Sequence, residues 1–134
     1  MKSLNSPLRD FNMMRIKVNK IYSYQTLVYK NGNRTFRKKK YNEYIKEIGE
    51  QLDDVLHEDD VSIHIIFRCK DKRVGDIDNI TKPVLDTLQE YGVIKNDKQV
   101  IELHLRKIFN AKHNEIDIFL QEPTEWLDRR NNGF

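Results

Sequence analysis

The chain has 134 residues, 38% of them hydrophobic and 34% charged, which is one ordinary domain able to bury roughly two-thirds of its unfolded surface without disulfides or a structural metal. The single cysteine, Cys69, excludes an internal disulfide. No apolar run approaches the ~18 residues of a membrane span, and the first fourteen residues lack the apolar core of a secretory signal, so a cytosolic protein is expected. The net charge of +3 conceals an asymmetry: residues 1–48 carry 12 Lys+Arg against 3 Asp+Glu, a net of +9, while residues 49–134 carry 12 against 18, a net of −6. A basic half suits a polyanionic partner and an acidic half suits a metal site, and plain solvated surface accounts for either equally well.

Residues 1–11 are expected to be a flexible start, residues 12–122 the folded domain and residues 123–134 a frayed tail, with Trp126 anchoring it or filling an interface. Met14, Ile16 and Val18 alternate with polar residues and predict a strand. Tyr22 to Tyr29, rich in Tyr, Thr and Val, predicts a second strand. Asn31-Gly32 supplies positive φ angles for a hairpin, and Arg34 to Phe36 returns. From Arg37 to about Leu56 the period becomes helical, with Tyr41, Tyr44, Ile45, Ile48, Leu52 and Val55 on one face. This helix begins with Arg37-Lys38-Lys39-Lys40, where its dipole prefers anions. A phosphate partner would offset that cost, and so would solvation.

Val61 to Cys69 alternates cleanly, with Val61, Ile63, Ile65 and Phe67 on one side. Lys70 to Gly75 reads as a loop. A short helix is expected over Pro83 to Tyr91, with Pro83 in its first turn and Gly92 ending it. Val100 to Phe109 and Glu115 to Leu120 predict two further strands joined by the polar turn Asn110 to Asn114. The fold class is therefore mixed α/β (α+β): a single small domain with one mixed sheet and two main helices.

Asp76-Ile77-Asp78 falls between a buried strand and this helix. In an extended segment residues two apart point to the same side, so both carboxylates can aim at one point while Ile77 turns inward. Paired carboxylates call for a cation, and Mg²⁺ or Mn²⁺ prefers such oxygen ligands. A helix of about ten residues spans roughly 15 Å, and Gly92 to Lys98 can extend roughly 20 Å, so the chain can carry Asp97 back to the pair. An Asp-x-Asp alone reads equally as a helix cap.

The wider string, Asp76-Ile77-Asp78-Asn79-Ile80-Thr81-Lys82-Pro83-Val84-Leu85-Asp86-Thr87-Leu88 followed by Gly92-Val93-Ile94-Lys95-Asn96-Asp97-Lys98-Gln99-Val100, resembles the RusA family of Holliday junction resolvases, common in phages and prophages. The shared pattern is Asp-x-Asp-Asn, a Lys four residues on, an Asp within the helix, and an Asp before Gln-Val. The resemblance implies a RusA-like homodimer that cuts branched four-way DNA junctions by paired symmetric nicks with Mg²⁺, or Mn²⁺ in its place, and with no small-molecule cofactor. It carries catalytic and metal-binding aspartates onto Asp76, Asp78 and Asp97, and an essential lysine onto Lys82. Two features depart from the pattern. The first strand lacks the family's frequent prolines, and Gly75 stands where a basic residue often precedes the first Asp, with Lys72 and Arg73 nearby to replace it.

On this reading Asn79 caps the helix or orients the ligands, and Asp86 has a structural role or supports the ligands from behind. DNA backbone contacts are expected from Arg34, Arg37, Lys38, Lys39, Lys40, Lys72 and Arg73, with Lys17 and Lys20 as lesser candidates. Tyr41 and Tyr44 are expected in the core. His64 and His104 are expected to be surface or packing residues, His57 and His113 solvated, and Cys69 buried. Two rival readings are a flap or other branched-DNA nuclease on the same scaffold and a non-catalytic DNA-binding dimer.

Overall fold

The computed structural model describes residues 12–123; the expectations for residues 1–11, for the tail from 124 and for Trp126 lie outside them. Four strands form one mixed sheet: β1 (Asn12–Lys17), β4 (Val61–Arg68), β5 (Val100–Ile108) and β6 (Glu115–Gln121), in the order β1-β6-β4-β5. β6 runs antiparallel to both β1 and β4, and β5 pairs with β4 in parallel. A parallel pair needs a crossover, and the helix α3 (Ile77–Glu90) supplies it. The hairpin of β2 (Val28–Asn31) and β3 (Arg34–Arg37) stands apart as a second, two-stranded sheet. The helix α2 (Lys39–Gly49) follows it.

The strand alternation read from the sequence decides which sheet face is covered. Ile16, Ile63, Ile65, Phe67, Ile116, Ile118 and Leu120 are fully buried and meet Tyr41, Ile48, Ile80, Val84 and Leu88 from the two helices. Burying each such side chain stabilises the fold by about 1.5–3 kcal/mol, an upper bound for a chain already partly collapsed when unfolded. Tyr41 and Tyr44 are core residues, as expected. Cys69 is buried too, and burial pushes its thiol up.

Four elements differ from the sequence reading. Tyr22 to Tyr29 is not one strand: a loop leads into the single turn α1 (Tyr24–Leu27) before β2 begins. Thr26 explains the break. Its N–H and hydroxyl both donate to the Ser23 carbonyl, at 3.1 and 2.8 Å, a local alternative to strand pairing. The hairpin turn is centred on Gly32-Asn33, because Asn31 pairs with Arg34 and Gly32 takes a φ of +67°. α2 ends at Gly49 rather than Leu56, because Gln51 leaves the helix to bond the Lys17 backbone N–H and carbonyl at 2.9 and 2.8 Å.

α3 carries the largest correction. It starts at Ile77, so Pro83 is its seventh residue rather than part of its first turn. A proline there leaves the Asn79 carbonyl without its helical donor, a cost of about 3 kcal/mol. Ile80, Val84 and Leu88 recur every four residues and are all fully buried. Their combined burial outweighs the loss and extends the helix through the proline. Gly92 ends the helix with a φ of +75°, as expected.

Candidate active site

Extending α3 changes how the first two aspartates are presented. Asp76 is its N-cap, with extended backbone (φ −60°, ψ 152°), and makes no side-chain capping bond. Asp78 lies in the first turn, where the helix dipole favours an anion, and its Oδ1 accepts the Asn79 N–H at 2.9 Å. Both aspartates are exposed. The two-residue period of an extended segment therefore does not govern them, and Ile77 is only half-buried while Ile80 fills the core. Asn79 is the third helical residue and not the N-cap. The close approach of Gly75 fixes the backbone just before Asp76. A Cβ at Gly75 would stand 2.7 Å from the Ser23 Cβ, and the Gly75 carbonyl accepts from Lys107 Nζ at 3.3 Å.

Asp97 returns to α3, tied to the helix's end rather than its start. It opens a single 3-10 turn (Asp97–Gln99) capped by Asn96, whose Oδ1 accepts the Lys98 N–H at 2.9 Å. The Asp97 N–H donates to Gln89 Oε1 at 3.0 Å, tying the turn to the end of α3. Gln99 holds the other side, donating to the carbonyls of His57 and Asp59 at 2.7 and 2.8 Å. The expectation that His57 is solvated fails for this reason: it is half-buried and its N–H bonds the Val93 carbonyl.

Asp78, Lys82, Asp86 and Asp97 line one cleft of about 230 Å³, with Leu85, Leu103 and Leu105 among its apolar walls. Asp76 is not part of that lining. Among the described residues no three carboxylate, imidazole or thiol groups converge closely enough to hold a metal ion as the side chains stand. The cleft nonetheless offers hard oxygen donors, and the exposed Asp76 carboxylate is uncommitted to capping.

Residues 19–121 match the family described as Endodeoxyribonuclease RusA. The chain belongs to the RusA family. It is also 34% identical over 73 residues, 54% of its length, to the "Crossover junction endodeoxyribonuclease RusA" of Aquifex aeolicus (strain VF5), and this alignment spans 58% of that relative.

In this RusA-family chain, Asp86 connects the cleft to the basic segment. It accepts a hydrogen bond from the Tyr41 hydroxyl, lies 3.5 Å from Lys82 Nζ, and is 3.6 Å from Arg37. Burial first, and then this bond to a carboxylate, push the Tyr41 phenol far above its ordinary value, so it stays a donor. Lys82 also sits over the Tyr24 ring, 5.3 Å from its centroid. Sequence reading gave Asp86 only a vague structural role because its partner Tyr41 is 45 residues away.

The basic segment is less uniform than its sequence. Arg34 and Lys39 are exposed. Arg37 is engaged by Glu90 at 2.7 Å and stacks on Tyr41 at 4.4 Å. Lys38 donates to the Thr26 carbonyl at 3.1 Å. Lys40 turns instead toward Tyr22. Lys72 and Arg73 are exposed on the loop before Gly75.

The sheet face away from the helices holds a group the sequence did not reveal. Asp117 is 1% exposed and accepts from Arg15 at 2.8 and 3.0 Å and from Arg68 at 2.8 Å. Burial alone would raise its carboxyl; the hydrogen bonds and charges of Arg15 and Arg68 outweigh that and hold it below the ordinary value. In the string Ile116-Asp117-Ile118 it reads as an outward polar residue. On the same face His64 and His104 stack at 4.2 Å, as packing residues, and burial followed by the neighbouring imidazole lowers His64.

Proposed function

We propose that this chain is a divalent-metal-dependent endonuclease that resolves four-way DNA junctions by paired symmetric nicks in recombination and repair. The observation that carries the reading is the convergence of Asp78, Asp97 and Lys82 in one cleft of a RusA-family fold. Asp76, outside that lining, would join them from the residue preceding the helix. These three carboxylates would hold Mg²⁺, or Mn²⁺ in its place. When bound, such an ion lowers the pKa of a water and neutralises phosphate charge. Lys82 places an ammonium at the scissile phosphate, where it stabilises the charge that develops during in-line attack. Asp86 and Tyr24 restrain that ammonium before substrate arrives. The Asp97 backbone is anchored to Gln89, which leaves its carboxylate to turn toward the ion.

Binding is assigned to other residues. Arg34, Lys39, Lys40, Lys72 and Arg73 are exposed cations suited to backbone phosphates, and Arg37 and Lys38 support them from their intramolecular contacts. One domain carries one acidic cleft, and a four-way junction requires two cuts, so a two-fold homodimer fits the substrate's own symmetry. No helix of the described residues is long and apolar enough to cross a membrane. We place the protein in a bacterial cytosol, with a phage or prophage origin.

Cleavage of labelled junction, flap and duplex DNA with Mg²⁺ tests the substrate. Symmetric paired nicks in the junction alone support resolution. A preference for flaps would move the activity to another branched substrate, and binding without cleavage would leave a DNA-binding protein.

A further inference from the structure

Three cations from distant parts of the chain meet in a second cleft beside Asp76. Lys20 comes from the segment after β1, Lys40 from the first turn of α2 and Arg73 from the loop after β4. With Tyr22, Ser23 and Gly75 they line an open space of about 520 Å³. No carboxylate lines it, and none of the three cations pairs with a carboxylate among the described residues. Lys20 Nζ and Lys40 Nζ each lie 5.3 Å from the centroid of the Tyr22 ring. A ring face attracts an exposed ammonium by only ~0.5–1 kcal/mol, so the ring cannot neutralise two of them and a guanidinium as well. An anion in this space would be attracted to all three cations at once.

The cleft adjoins the acidic one along the chain. Gly75, which lines it, is followed directly by Asp76, while Tyr22 and Tyr24 sit two residues apart beneath Lys40 and Lys82 respectively. A strand with one phosphate at Lys82 would have neighbouring phosphates to offer such a cleft. Ser23 adds a hydroxyl to the lining and packs closely against Gly75, where a Cβ would stand 2.7 Å from its own.

We propose that the Lys20–Lys40–Arg73 cleft is a phosphate subsite that grips the DNA backbone next to the scissile position. This inference rests on the nuclease reading above. The ligand chemistry is a phosphodiester anion, and the source we assign is the bound strand rather than free phosphate.

Junction binding in EDTA, measured by fluorescence anisotropy across a salt series, tests it. The proteins are the full chain, the Lys20→Ala/Arg73→Ala double variant and Lys46→Ala, which removes an exposed cation from the far part of α2. Thermal unfolding checks that each variant is folded, which exposed positions favour. The slope of log K against log salt should weaken by about 1–2 in the double variant, roughly 0.9 for each lost phosphate contact. Affinity near physiological salt should drop at least about tenfold, and Lys46→Ala should change neither. Inorganic phosphate at a few millimolar and constant ionic strength should not compete. Unchanged slope and affinity in the double variant, with the full chain binding normally, would overturn the subsite and leave the nuclease reading intact. An equal effect of Lys46→Ala would show diffuse charge and overturn it too, and competition by millimolar phosphate would overturn the assignment to the strand. If the full chain neither binds nor nicks any branched DNA, the nuclease reading falls and the subsite with it.

Discussion

Asp78→Asn separates chemistry from folding at one atom. The carboxylate sits in the first turn of α3, where the helix dipole stabilises it by about 0.3–1 kcal/mol at an exposed site. The amide loses that term but keeps an oxygen to accept the Asn79 N–H, so the local hydrogen bond survives. Repulsion from Asp86 and Asp97 across the shared cleft is relieved at the same time, by an amount of similar size in a water-filled space. The two changes nearly cancel. Metal-free stability should shift by less than about 1 kcal/mol, or roughly 3–5 °C in Tm for a chain of this length. In Mg²⁺ at ten times its Kd, the parent should gain about 1.4 kcal/mol and the variant much less. Nicking should fall by about 10²–10³ or more. Differential scanning fluorimetry in EDTA and in Mg²⁺, beside a junction-nicking assay, reads all three. A metal-free loss above about 2 kcal/mol with nicking retained would show that Asp78 is a helix cap and refute the assignment.

Asp117→Asn should cost about 3 kcal/mol at neutral pH, since it removes a buried carboxylate bonded to two arginines that can still reach water. Its folded value is depressed, so the stability it contributes is present above the ordinary value of 3.8 and is lost as pH falls through the lower folded value. Urea denaturation should therefore show a constant gap between the parent and the variant above pH 3.8 or so, closing only as pH falls below it. Asp86→Asn keeps an acceptor for Tyr41 but releases Lys82 and Arg37. It should change stability by no more than about 1 kcal/mol while slowing nicking several-fold; unchanged nicking would show that Lys82 needs no such restraint. Gly75→Ala places a Cβ 2.7 Å from that of Ser23 and should cost about 1–3 kcal/mol by forcing the two loops apart. A Tm equal to the parent's would show that this contact yields freely.

Periodicity in the sequence was a good guide wherever a segment has one buried face. Ile63, Ile65 and Phe67, or Tyr41, Tyr44 and Ile48, announce their elements because alternation and helical spacing each bury a continuous stripe. Pro83 misplaced the start of α3 because local chemistry argued for a first turn, whereas the four-residue spacing of Ile80, Val84 and Leu88 decided it in the fold. Asp97 was within reach because only chain length had to be judged. Polar pairings were not legible. Asp117 meets Arg15 and Arg68 across 102 and 49 residues, and nothing in the string Ile116-Asp117-Ile118 marks it as buried. The divided roles of the basic segment were hidden for the same reason, since Arg37 and Lys40 look alike in sequence and face different partners.

The central claim is that one acidic cleft cuts branched DNA. The direct test is incubation of a synthetic four-way junction with the purified chain in Mg²⁺ and in EDTA, alongside Asp97→Asn. Paired, symmetric nicks are expected with the parent chain in Mg²⁺, none in EDTA, and none with the variant despite undiminished junction binding. Nicking that survives both EDTA and Asp97→Asn, or an intact junction in Mg²⁺ with the parent chain bound, would contradict it.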